Sequence, residues 1–326
     1  MSQKVTEIGI GNQIVRNDFD NLPIYKEMKR VTDDYGNVFI RIPKFYIRKT
    51  STAGKLSIQV SKTQIPGSYL PKTFWDFDKN KELPYVDVGA YLASLNGTRL
   101  ESKSGVQPFT STNISNIRQY ARNNGAGYQQ LDIHTVDMLQ SLFYVEFATL
   151  NSQSIHPGFT SYTETLPTGG TDDVVASSGA IALHPWNQFK YRGIEDLWGN
   201  VWQFVDGVNI IDNQAWVCEN AEQYASDVFA SPYVSLSYKN SDSNGYVREM
   251  GFDPNQPYAQ FPTVTDGASA STYYSDNYSQ EPGQRIALFG GGWSSGVNAG
   301  VSYWDLIYAS SASDSAFGGR LVRKAL

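Results

Sequence analysis

The chain carries three histidines, His134, His156 and His184, one cysteine, Cys218, and an adjacent acidic pair, Glu195-Asp196, in a motif-like setting. Imidazole and thiolate ligands hold a transition metal when their spacing lets several of them converge. The three histidines have no such spacing and read as structural residues. A single cysteine excludes an intrachain disulfide framework and a four-cysteine zinc site. With Trp216 and Val217 before it, Cys218 reads as a core thiol. Glu195 and Asp196 are consecutive, and consecutive residues on a strand point to opposite faces, which does not suit paired acid–base work. No Gly-x-Ser-x-Gly elbow is present, and the glycine runs at Gly9 and Gly290 lack the lysine and helix of a phosphate loop. The stretch NSDSNG, Asn240 to Gly245, matches part of a calcium loop, but Gly251 stands where the bidentate glutamate belongs, so an Asn-Gly turn is the reading. The expectation is no catalytic residue, no metal ligand and no cofactor. A structural calcium held by backbone carbonyls stays open, because a sequence does not show it.

The C-terminal stretch GGGWSSGVNAGVSYWDLIYASSASDSAFGGRL, Gly290 to Leu321, offers a different chemistry. Two glycine-rich ends with Trp293 and Arg320 enclose a mosaic of Ser, Tyr, Asn, Asp and Ala. Paratopes have this composition: Tyr and Trp give rigid contact area at low entropy cost, while Ser, Gly and Asn adapt their hydrogen bonds. Trp304 and Leu306 alternate with Tyr303, Asp305 and Ile307, so one set can face a core and the other outward. Trp293, Gly300, Ala309, Gly318 and Arg320 read as frame. Ser294, Ser295, Val297, Asn298, Ser302, Tyr303, Asp305, Ile307, Tyr308, Ala312, Asp314 and Ala316 read as the outward, ligand-binding face.

The elements that must position this segment are uneven along the chain. Residues 1–35 are polar and show no strong periodicity. Val38 to Lys49 is a β-rich run whose Pro43 suggests an edge strand or a bulge, and Tyr85 to Ser94 alternates as a strand. Ile114, Ile117 and Ala121 recur at helical spacing, with Asn124-Gly125 as a stop. A second helix follows, with Thr135 as N-cap and Val136, Leu139, Leu142 and Phe143 on one face. Beyond about residue 150 the helical signal ends, and short strands in long loops take over; long loops in a compact domain commonly carry function.

With 326 residues, 40% hydrophobic, the chain can bury a sizeable core. A net charge of -6 argues against nucleic acid as a partner. No apolar run of about 18 residues spans a membrane, and no signal peptide is visible. Cytoplasmic synthesis fits, as does later work outside the cell as part of a virion.

One stretch is specific. YRGIEDLWGNVWQFVDG, Tyr191 to Gly207, resembles the G-L-x-D-M-x-G-N-V-W-E-W segment of the formylglycine-generating-enzyme (sulfatase-modifying) type of C-type lectin fold, through Gly193, Asp196, Gly199, Asn200, Val201 and Trp202. The closing R-G-G-S-W … G-F-R-L of that family is matched by FGGGW and GGRL, and the resemblance covers about residues 36–326. The enzymes of the family work through two cysteines near the C-terminal end; positions 290–326 hold none. The resemblance therefore points to the non-enzymatic branch. There it is similar to phage and prophage tail proteins and to the variable proteins of diversity-generating retroelements, of the major tropism determinant type.

What this implies is an α+β, C-type lectin-like domain with two helices, short strands and long loops, over residues 36–326. Residues 1–35 are expected as a mounting or oligomerisation segment. Residues 293–317 are the variable segment, with Trp202, Asn200, Trp293 and Arg320 as scaffold. The implied function is a tail-tip receptor-binding adhesin in the virion, binding a host cell-surface protein or glycan beside other tail proteins. A homo-oligomer is expected, a trimer by analogy, with no membrane insertion. A catalytic or carbohydrate-active member of the fold and a purely structural virion protein are the alternatives.

Overall fold

The computed structural model describes residues 6–8, 19–52, 55–176, 178–180 and 188–326. Strand pairing begins at the N-terminal end. β1 (Thr6–Ile8) lies antiparallel to β5 (Lys55–Ser61), which forms a hairpin with β4 (Tyr46–Thr52). β2 (Lys29–Thr32) pairs with β3 (Val38–Pro43), so the boundary expected at residue 35 falls inside a hairpin. Phe19, Ile24 and Tyr25 are buried in the same core as the rest of the chain. Pro43 closes β3 rather than bulging it: lacking an N–H, it stands at the last paired position, opposite Tyr85. β3 is no edge strand, because β6 (Tyr85–Gly89) flanks it on the other side. With β7 (Tyr128–Gln130) and the C-terminal β16 (Leu321–Lys324) these strands make an antiparallel sheet in the order β7-β16-β6-β3-β2.

Both expected helices are present. α1 (Ile114–Arg122) is capped by Asn113, whose side chain accepts from the Asn116 N–H. α2 (Ile133–Phe147) starts earlier than the sequence suggests. Asp132 is its N-cap, accepting from the Thr135 N–H at 2.7 Å, and Thr135 is a residue of the first turn. Nor does α2 have one apolar face. Every residue from Ile133 to Glu146 is buried, because sheet and loops pack around it on all sides. No helix of the described residues is long and apolar enough to cross a membrane.

The second sheet holds the C-terminal segment. It runs β10 (Val234–Ser235), β9 (Gln214–Val217), β8 (Trp202–Ile211), β13 (Gln284–Phe289), β14 (Trp304–Leu306), β12 (Asn277–Gln280) and β11 (Gly245–Tyr246), with β15 (Phe317–Gly318) beside β8. β14 is thus an interior strand. It is antiparallel to β13 and parallel to β12. The architecture is α+β, with two α-helices, short strands and long loops among the described residues, as the sequence implied.

Candidate ligand-recognition face

The face is built on the loop that enters β8. Arg192, Gly193, Asp196, Gly199 and Asn200 all take positive φ, which turns the chain sharply several times within nine residues. A Cβ on Gly199 would stand 2.9 Å from both the N and the O of Phe159, so the position also needs the missing side chain. Asn200 staples this loop to a second one. Its Oδ1 accepts from the Leu166 N–H at 3.0 Å, and its Nδ2 donates to the Leu166 carbonyl at 3.1 Å and to Asp196 at 2.9 Å.

The acidic pair is likewise structural. The Glu195 carboxylate accepts from the N–H of Gly169 (2.7 Å), the N–H of Thr171 (2.8 Å) and the Thr171 hydroxyl (2.7 Å). Burial raises the pKa of both carboxyls, and for Asp196 the neighbouring Glu195 raises it further. Each group is spent on holding loops. Arg320 closes the arrangement from the other end of the chain. Fully buried, its guanidinium donates to the carbonyls of Gly89 (3.0 Å), Glu195 (2.8 Å) and Asp196 (2.7 Å), and to Gln203 Oε1 (2.8 Å). Burial pulls its pKa down to about 10. The residues on both sides of GNVW, Glu195 and Asp196 before it and Gln203 after it, are therefore one hydrogen-bonded unit with GGRL.

Both ends of the C-terminal segment are sewn to that unit. The Trp293 N–H donates to the Asn200 carbonyl at 2.9 Å, and the Trp202 N–H donates to the Ala316 carbonyl at 2.8 Å. Between the ends, Gly300 lies against the buried carboxyl of Asp276, which a Cβ there would strike. Asp276 accepts from the Ser302 N–H (2.7 Å) and the Ser152 hydroxyl (3.1 Å), and burial lifts its pKa well above the carboxylate range.

The alternation along β14 is as read, but its outer side is largely covered. Trp304 and Leu306 are in the core, Trp304 against Phe261 and Phe289. On the other side, Tyr303 is 7% exposed and packs edge-on against Trp202, ring centroids 4.6 Å apart. Asp305 is also 7% exposed, between Leu288 of β13 and Ser279 of β12. Ser302 turns inward to the Tyr144 hydroxyl. Ala316 is buried where the segment rejoins β8. These four, expected outward, are buried: Trp202 packs on Tyr303, Asp305 lies between its neighbours on β12 and β13, Ser302 faces inward, and Ala316 lies where the chain rejoins β8. Ala309, expected as frame, is exposed. Ser294, Val297 and Asp314 are exposed as expected, while Ser295, Asn298, Ile307, Tyr308 and Ala312 are half-buried. Asn298 accepts from the Tyr246 hydroxyl at 2.7 Å, which adds β11 to the face. Of the scaffold residues, Asn200, Trp202 and Arg320 are buried and Trp293 is half-buried.

Two residues that position the segment, Trp198 and Asp276, went unread in the sequence, and the loop-holding role of Glu195 did too. Trp198, fully buried against Phe143 and Phe189, lies inside the motif stretch, between Asp196 and Gly199. Glu195 and Asp276 work through loop contacts that no motif marks. Of the histidines, His134 is buried against Tyr258 and burial holds its pKa well below the usual range. His156 is brought down to about 4 by burial, and His184 lies outside the described residues. Cys218 is buried. Among the described residues no cluster of His, Cys, Asp or Glu could hold a metal ion.

No family model and no curated protein matches the sequence. Among solved structures the chain is similar to the Major Tropism Determinant U1 variant, with a TM-score of 0.33 and 15% identity, over 88% of this chain and 63% of that one. It is also similar to the Major Tropism Determinant P3c variant, with a TM-score of 0.35 and 12% identity, over 96% and 86%. The chain thus spans less than two thirds of the U1 variant. Both are variants of the type of protein that the sequence motifs resemble.

Proposed function

We propose that this chain is a ligand-recognition protein of C-type lectin-like architecture, a receptor-binding adhesin of a phage or prophage tail, and that residues 293–317 carry its recognition face. One observation supports this above the others. The segment is fixed at both ends to a buried hydrogen-bonded unit, and between those ends it presents exposed and half-exposed side chains. Trp202, Tyr303 and Asp305 form the floor; Ser294, Val297, Asn298, Ile307 and Tyr308 form the rim. Such a surface can change its rim without changing its fold, which is what a protein that must follow a changing target requires. The half-exposed Tyr308 and Ile307 supply apolar contact area, and small polar rim residues supply the fit.

The ligand in this reading is a host cell-surface protein or glycan. The chain works beside other tail proteins as a homo-oligomer, a trimer by analogy, because many weak sites acting together bind strongly. Diversification by a retroelement belongs to the same proposal, and the codons for residues 294–316, with a near-copy of the segment downstream, test it. The direct experiment measures binding of the purified chain to a panel of bacterial strains, for the parent and for a variant with Ser294, Val297, Ile307 and Tyr308 replaced together. The expected result is an altered set of strains bound at a preserved melting temperature. An unaltered set would place recognition elsewhere.

A further inference from the structure

The floor of the face contains a carboxylate without a counter-charge. Asp305 accepts one hydrogen bond on Oδ1, from the Ile307 N–H at 3.2 Å, and none on Oδ2 among the described residues. The groups around it are neutral on every side. β13 places Leu288 opposite it, and β12 places Ser279. Its own strand contributes Tyr303, and the following loop contributes Tyr308; both rings lie within its electrostatic reach. No Lys, Arg or His among the described residues acts on it, and burial alone pushes its pKa up to about 7.

An ionised carboxylate in such a place is unfavourable until a cation joins it. Folding gains nothing from it that Asn or Ser would not give, since its one hydrogen bond could be accepted by a neutral side chain. The other side of β14 is core, so the exposure that Asp305 retains opens onto the recognition face. The tyrosines beside it offer electron-rich rings, which attract cations.

We propose that Asp305 is the anchor for an organic cation of the ligand, a guanidinium or ammonium group seated between its carboxylate and the rings of Tyr303 and Tyr308. The inference rests on the reading of this face as the recognition surface. The carboxylate supplies charge and geometry, the rings supply a desolvated wall, and the rim decides what else of the ligand fits.

The test follows the Asp305 carboxyl by carbon-detected NMR across a pH titration, in the whole chain. The probes are N-acetyl-argininamide and N-acetyl-lysinamide for a protein source of the cation, and glucosamine for a sugar source. N-acetyl-citrullinamide and N-acetylglucosamine are the neutral counterparts. The expected result is that at least one cationic probe lowers the titration midpoint by about one unit, a tenfold preference for the ionised form. The neutral counterparts leave it in place, and Asp305→Asn loses binding of the active probe, read from the probe's own resonances. The cation that acts most strongly identifies the source. The proposal is overturned if no cationic probe at saturating concentration moves the midpoint, if neutral counterparts bind equally, or if Asp305→Asn binds the probe as the parent does. Should the variant fold poorly, the titration of the parent decides alone. Failure of the probes beside an altered strain panel for the Ser294 and Val297 variants would remove the anchor and leave the recognition reading standing. Probe binding beside a strain panel indifferent to every face substitution would do the reverse.

Discussion

At the scale of single residues, large and polar side chains share the task of fixing the segment. Trp202 is 8% exposed and packs edge-on against Tyr303, so Trp202→Ala should cost about 3–5 kcal/mol, the range for a large aromatic in a core. A denaturant curve that overlays the parent's would show that the ring does not anchor the face. Asn200→Ala removes both bonds to Leu166 and leaves the buried Asp196 short of a donor; a loss of roughly 1–3 kcal/mol is expected. Asp305 and Asp276 give a pH dependence whose sign is fixed. Burial raises both folded-state pKa values above those of the unfolded chain, so the folded state binds the protons more tightly. Their contribution is fully present below the unfolded carboxylate value of about 4 and is lost as pH rises through the folded values. The Asp305 contribution should therefore fall between about pH 4 and its folded value of about 7, so the melting temperature of Asp305→Asn should gain on the parent's across that interval. A difference between variant and parent that stays constant over that interval would contradict the burial of this acid.

At the scale of elements, the segment divides into parts that tolerate change and parts that do not. Gly300→Ala would push a methyl group into the Asp276 carboxyl and should destabilise the chain by about 1–3 kcal/mol, as overpacking does. Ser294→Ala and Val297→Ala, on exposed positions, should stay within about 0.5 kcal/mol of the parent. Thermal melts of the three variants separate frame from face; equal losses at all three would erase the distinction. The same division shows what the sequence discloses. The alternation in β14 correctly separates Trp304 and Leu306 from Tyr303 and Asp305. It does not tell whether the second side is open. That is decided by Trp202 and Ser279, which lie some distance away in sequence and reach β14 only through the sheet order. In α2, an apolar face was legible, but burial on all sides was not, because it arises from loops packed around the helix.

At the scale of the whole molecule, GGRL meets the residues that flank GNVW, over a hundred positions earlier, through the Arg320 guanidinium on Glu195, Asp196 and Gln203. Their pairing was legible as a family pattern; its physical content, Arg320 on the carbonyls of Glu195 and Asp196, needed the fold. The carboxylates that hold loops escaped reading because each acts on backbone groups, which carry no sequence signature. The central claim is that this rigid unit carries a face free to vary. The most direct measurement is on a display library randomised at Ser294, Val297, Ile307, Tyr308, Ala312 and Asp314, with melting temperature and binding to arrays of bacterial surface proteins and glycans recorded for the same clones. Most clones should melt close to the parent while their bound targets differ from clone to clone. Clones that mostly unfold, or that fold and all bind what the parent binds, would contradict it.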